Sequence, residues 1–125
     1  MNRTQAQKRS EYVLDQLQVP PGGQKDFTTL VQGLPAMILQ NGLGHSMAFL
    51  LAKKDEKKGE QDRHLIAFRL IAGWLRKEKV MTAAGNGEVV RALATMDQSA
   101  YLQAQGETLK LLEWVKRYAK AGLFA

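Results

Sequence analysis

From Phe27 to Ala52 the chain runs 26 residues without a single Asp, Glu, Lys or Arg, although 24% of the whole sequence is charged. The same stretch holds Pro35, Asn41, Gly42 and Gly44, all poor helix formers. Its apolar residues Leu34, Ile38, Leu39, Leu43, Phe49, Leu50 and Leu51 recur too densely for a loop. Two helical glycines cost about 1 kcal/mol each relative to alanine. Burying one Leu, Ile or Phe returns about 1.5–3 kcal/mol, so packing outweighs propensity. The expected solution is one central helix starting at Pro35, whose missing N–H is harmless in the first turn. Gly44, Ala48 and Ala52 then form a shallow ridge for a close neighbour, and Asn41 is expected to be buried.

The remaining punctuation is explicit. A first helix is expected from about Thr4 to Val19, with Ala6, Val13, Leu14 and Leu17 on its apolar side, ended by Pro20-Pro21-Gly22-Gly23. A short helix from about Asp26 to Gln32 stops at Gly33. After the polar run Lys53 to Asp62 comes a helix to about Glu78 carrying Phe68, Leu70, Ile71, Trp74 and Leu75 at helical spacing. A short helix from about Gly87 to Thr95 takes Asn86 as its N-cap. Asp97 caps a last helix to about Ala121, with the stripe Tyr101, Ala104, Thr108, Leu111, Leu112, Val115 and Ala119 and a possible kink at Gly106. No period-two alternation with turn chemistry occurs, so no sheet is expected. The fold class is all-α: a single-domain bundle of five or six helices over residues 1–125, of a size suited to one core.

Catalytic chemistry is sparse. With no cysteine, thiolate metal sites, disulfides and cysteine nucleophiles are excluded. His45 and His64 have no partner at metal-ligand spacing, and His45-Ser46 is not a triad, because adjacency in sequence does not orient a base on a nucleophile. Asp55, Glu56, Glu60 and Asp62 cluster among lysines and read as a solvated loop rather than a two-metal site. Phosphate-loop and dinucleotide glycine patterns are absent. Neither a metal nor a cofactor is expected, nor an enzyme. No secretory signal is expected, because Met1 to Ser10 is polar and carries Arg3, Lys8 and Arg9 with no apolar run behind it. No membrane span is expected either, because Gln32, Gln40, Asn41, His45 and Ser46 interrupt the apolar window, and a cytoplasmic location is the expectation.

What remains is a basic surface. The formal net charge is +6, and residues 53–79 hold nine basic against five acidic side chains. Arg69 and Arg76 lie seven apart on one helix face, with Arg63 and Lys77 nearby. Lys110, Arg117 and Lys120 share a side of the last helix. Such faces contact polyanions, or are simply solvated and complement the helix dipole. Trp74 and Trp114 could stack on bases, but both lie within apolar stripes and read as core or subunit-contact anchors.

Several stretches resemble one family. "LPAMILQNGLGHSMAFLLAKK" carries Leu34, Pro35, Ile38, Asn41, Gly42, Leu43, Ala48, Phe49 and Lys53. "AGWLRK" supplies Trp74-Leu75, and "YLQAQGETLKLLEWVKRYAKAGL" supplies Tyr101, Glu107, Leu111, Leu112, Trp114, Lys116, Arg117 and Ala119. These are similar to the small all-α subunit of type III-B CRISPR-associated Cmr effector complexes. Val115, Tyr118 and Gly106 are mild departures from its pattern. The resemblance implies an antiviral, non-catalytic subunit that stacks with copies of itself as a minor filament along the crRNA-bearing backbone subunits, beside the large subunit. It also implies basic surfaces lining the target-RNA groove. The residues assigned to RNA are Arg69, Arg76, Lys110, Arg117 and Lys120, then Lys53, Lys54 and Arg63. Alternatives are a free-standing helical DNA-binding module, the small subunit of another CRISPR effector class, and, remotely, a metal-free hydrolase.

Overall fold

Asp62 and Asp97 each turn an extended residue into a helix start. Their carboxylates accept the N–H of Leu65 at 3.0 Å and of Ala100 at 2.8 Å, satisfying donors that a helix N-terminus otherwise leaves unpaired. The helices they open, α4 (Arg63–Lys77) and α6 (Gln98–Lys120), are joined by α1 (Gln5–Gln16), α2 (Gln24–Asn41), α3 (Leu43–Lys53), a 3-10 turn at Gly59–Gln61, and α5 (Asn86–Thr95). The computed structural model describes residues 2–124, and among them there is no strand. The protein is an all-α bundle, and apolar side chains from all six helices join one contiguous core.

The central element is α4, which touches α1, α2, α3 and α6 and buries Leu65, Ala67, Phe68, Leu70, Ile71, Ala72, Trp74 and Leu75. The apolar segment 35–52 is not that element, contrary to expectation. It contributes the end of one helix and the whole of another, with the joint at Gly42. The expected short helix at 26–32 is the start of α2, which continues through Gly33 and Pro35 to Asn41. Proline inside a helix costs about 3 kcal/mol and glycine about 1. Phe27, Val31, Leu34 and Ile38 are all buried along the same face, at about 1.5–3 kcal/mol each, so the helix continues.

Gly42 breaks the helix because of what it meets. Its φ of 87° and ψ of 161° lie where a side chain is strained. A Cβ there would also sit 2.8 Å from the Tyr101 hydroxyl. That hydroxyl accepts the Gly44 N–H at 2.9 Å, and the Gln105 side-chain oxygen accepts the Leu43 N–H at 3.0 Å. Thus α6 caps α3 with side chains from across the bundle. Asn41, at the joint, is exposed rather than buried, and so are Ala48 and Ala52. Of the small-residue ridge, Gly44 meets Tyr101 and Leu93, whereas Ala48 and Ala52 stay exposed.

Other departures are local. Helix α1 ends at Gln16, before the prolines, and Leu17 is already extended. Its buried face is Arg9, Tyr12 and Val13, followed by Leu17, whereas Ala6 and Leu14 are exposed. Gly85, not Asn86, precedes α5 as its cap residue, and α6 runs uninterrupted through Gly106. Gly42→Ala should lower stability by about 1–3 kcal/mol, combining backbone strain with a clash against Tyr101. Urea unfolding measures this, and an unchanged midpoint would contradict the joint's role.

Candidate nucleic-acid interface

Helix α6 buries Ala104, Thr108, Leu111, Leu112, Val115 and Ala119, so the helical period turns Lys110, Glu113, Arg117 and Lys120 outward as one exposed stripe. Lys116, half-buried beside it, pairs with Glu113 at 3.6 Å. At the C-terminal end Lys116, Arg117 and Lys120 line a groove of about 670 Å³ with Gln32, Glu113 and Ala121. Three cations against one carboxylate make this groove electropositive.

The other basic residues lie apart from it. Arg69 is exposed but paired with Glu60, on a 370 Å³ crevice formed with Tyr12, Gln16, Gln18, Ile66 and Leu70. Arg76 is half-buried, and its guanidinium donates to the Ala83 carbonyl at 3.2 Å, tying α4 to the connection that leads to α5. Lys53 lies over the Phe49 ring at 5.9 Å, and Lys54 pairs with Glu56 at 3.1 Å. Arg63 opens α4 and lines a separate groove of about 490 Å³ with Lys57, Lys58 and the Pro20–Gly23 turn. The fold thus brings Arg117 and Lys120 together, with Lys110 on the same stripe, and sets Arg69, Arg76 and the loop cations elsewhere.

Glu107, Arg9, Trp74 and Tyr12 bring charge or polarity to an otherwise apolar core. Glu107 accepts from Arg9 Nε at 2.6 Å and Nη2 at 3.1 Å, and from the Trp74 indole at 2.8 Å. Arg9 is 8% exposed. The Arg9 guanidinium, foremost, holds the Glu107 carboxyl below its ordinary 4.5 against the opposing effect of burial, helped by Trp74 and Lys110. Trp74 is fully buried, ring to ring with Tyr12 at 5.1 Å, so it is a core anchor and not a stacking platform. Trp114 is half-buried and tilts against Tyr118 at 5.6 Å. The Tyr12 hydroxyl donates to the Leu70 carbonyl at 2.7 Å, and burial pushes its pKa up to about 12. Gly73 leaves it room, since a Cβ there would lie 2.5 Å from that hydroxyl.

Asp55, Glu56 and Glu60 are exposed, as the solvated-loop reading expects, and Asp62 alone departs from it. Asp62 is 1% exposed and accepts the N–H of Asp55 and of Leu65, both at 3.0 Å. Burial would raise its carboxyl, but these donors together outweigh it and hold the group below the ordinary 3.8. His64 Nδ1 is buried 3.5 Å from Asp62 without a hydrogen-bond partner, and burial lowers the imidazole below 6.5 although Asp62 opposes the shift. Among the described residues no group of three His, Cys, Asp or Glu side chains is placed to hold a metal ion, and no helix is long and apolar enough to cross a membrane.

A small all-α protein with cationic grooves on two sides of its helix ends is what the fold defines. Residues 4–122 match the family described as CRISPR-associated protein (Cas_Cmr5), and the chain belongs to that family, the small-subunit family of type III-B CRISPR complexes. Membership makes it a Cmr subunit and implies association with other subunits of the complex.

The buried groups set the response to acid. Glu107 and Asp62 titrate lower in the folded chain than in the unfolded one. Their contribution is complete above about pH 4.5 and is lost as pH falls through their folded values. His64 also titrates lower when folded, so the unfolded chain takes up that proton first and stability starts to fall below its ordinary 6.5. Urea unfolding from about pH 7 to pH 3 should therefore show a continuous loss, with Asp62→Asn and Glu107→Gln flattening the lower part. A flat profile in the parent protein would contradict this.

Proposed function

We propose that the chain is a non-catalytic structural subunit of a cytoplasmic, antiviral type III-B effector. In this reading it stacks with copies of itself beside the large subunit, along the crRNA-bearing backbone, and helps to hold target RNA by electrostatics alone. The observation that carries the reading is the convergence of Lys116, Arg117 and Lys120 on one 670 Å³ groove at the end of α6. Lysine and arginine neutralise phosphates and release counterions without reading bases, while guide pairing supplies sequence.

Among the basic residues, Arg117, Lys120 and Lys110 hold the first place because they are exposed and form no ion pair among the described residues. Arg69, Lys54 and Arg76 already have partners, which an incoming phosphate would have to displace. Their contribution is correspondingly smaller. Exposed pairs are worth only about 0–1 kcal/mol, so Arg69 and Lys54 are weakened as contacts rather than removed.

In assembled complexes of normal composition, Arg117→Glu with Lys120→Glu should weaken target-RNA retention about tenfold or more near physiological salt. The dependence of log affinity on log salt should flatten by about 1.4, two single-strand contacts at about 0.7 each. Arg69→Glu should do less. Retention equal to the parent complex for the α6 pair would contradict the proposal.

A further inference from the structure

Between Lys53 and Arg63 the sequence places five cations and four carboxylates, which nearly cancel. The fold separates them. Asp55 accepts the Lys57 N–H at 2.9 Å, Glu56 pairs with Lys54, Glu60 pairs with Arg69, and Asp62 is buried as the cap of α4. Every carboxylate of the segment thus has a partner within the chain. Lys57, Lys58 and Arg63 form no ion pair among the described residues, yet all three line the 490 Å³ groove against the Pro20–Gly23 turn. Asp26 is the one carboxylate in that lining.

The frame around these cations is fixed. Pro20 and Pro21 stiffen one wall. Asp55 and Asp62 hold the other by bonds to backbone N–H groups of Lys57, Asp55 and Leu65. Less ordering is then required when a ligand is taken up. The α6 groove lies at the same end of the molecule, because Phe27 of α2 meets Phe124, just beyond α6, edge-on at 6.4 Å. Asp26 lines one groove and Gln32 the other, both on α2, roughly 9 Å apart along its axis.

We propose that the groove of Lys57, Lys58 and Arg63 is a second phosphodiester-binding site, taking the sugar-phosphate backbone of a single RNA strand that also contacts the α6 groove. Two electropositive grooves flanking the first turns of one helix suit a continuous polyanion. The identity of the ligand, but not the groove itself, rests on the function proposed above.

The test uses the 125-residue chain and a labelled single-stranded RNA of mixed sequence, titrated at about 50 and 200 mM salt. Lys57→Gln with Lys58→Gln should weaken binding about tenfold at the lower salt and flatten the salt dependence by about 1.4, whatever the base sequence. Arg117→Gln with Lys120→Gln should have a comparable effect, and the four-residue variant a larger one. An unchanged affinity for the loop pair beside a weakened α6 pair would overturn the second site and leave the proposed function standing. Unchanged affinity for both pairs would overturn the second site and the assignment of phosphate contacts to the α6 groove. Loss of other Cmr subunits from complexes assembled with the Lys57→Gln, Lys58→Gln chain, with the RNA affinity of that chain unchanged, would make the groove a protein contact and overturn the site.

Discussion

One carboxylate holds three helices. Glu107 on α6 receives both a bidentate guanidinium from α1 and an indole N–H from α4, and all three groups are largely withdrawn from water. A charge in such a place is tolerated only when paired and fully hydrogen-bonded, so each helix must present its residue at one rotation and one height. An apolar contact would accept a range of both. The consequence reaches the surface, because Lys110, Arg117 and Lys120 are placed by the same helix rotation that puts Glu107 inside. Tyr101 and Gln105, earlier on α6, then reach the N–H groups at the start of α3, so the same helix also fixes the Gly42 joint.

Charge is partitioned rather than spread. Carboxylates go inward or into local pairs: Glu107 to Arg9, Asp62 to backbone N–H groups, Glu60 to Arg69, Glu56 to Lys54. Of the cations left without an ion pair among the described residues, Arg117 and Lys120 line one groove built on α6, and Lys57, Lys58 and Arg63 line another on the loop before α4, while others such as Lys25, Lys79 and Arg91 line neither. A net charge of +6 is modest for a chain of this length. Its local concentration is what gives it reach, since only charges within about a Debye length of a phosphate contribute strongly.

The long amphipathic helices were legible because many residues vote on one period. The stripes of α4 and α6, the helix start near Asp62 and the cap at Asp97 stand as read. The segment 26–52 was not, and the reason is energetic. Gly33, Pro35 and Gly42 carry similar local warnings, and only tertiary contacts decide that the chain continues through the first two and breaks at the third. Arg9 was missed because an arginine near an N-terminus ordinarily faces water; its spacing of three from Tyr12 and four from Val13 was the available signal. Asp62 was visible as a helix start but not as a buried group. For the basic residues, sequence spacing found the shared faces but could not show that Arg69 and Arg76 have partners while Lys57 and Lys58 have none among the described residues.

A rigid scaffold that turns its unpaired cations toward RNA is the physical content of the proposed function. Its most direct measurement is a reconstruction of the assembled type III-B complex with target RNA bound, at a resolution that resolves side chains. The expected result places Arg117 and Lys120 of at least one copy within about 4 Å of backbone phosphates, with the α6 groove open to the strand. Coordinates in which that face of α6 is sealed against protein in every copy would contradict it.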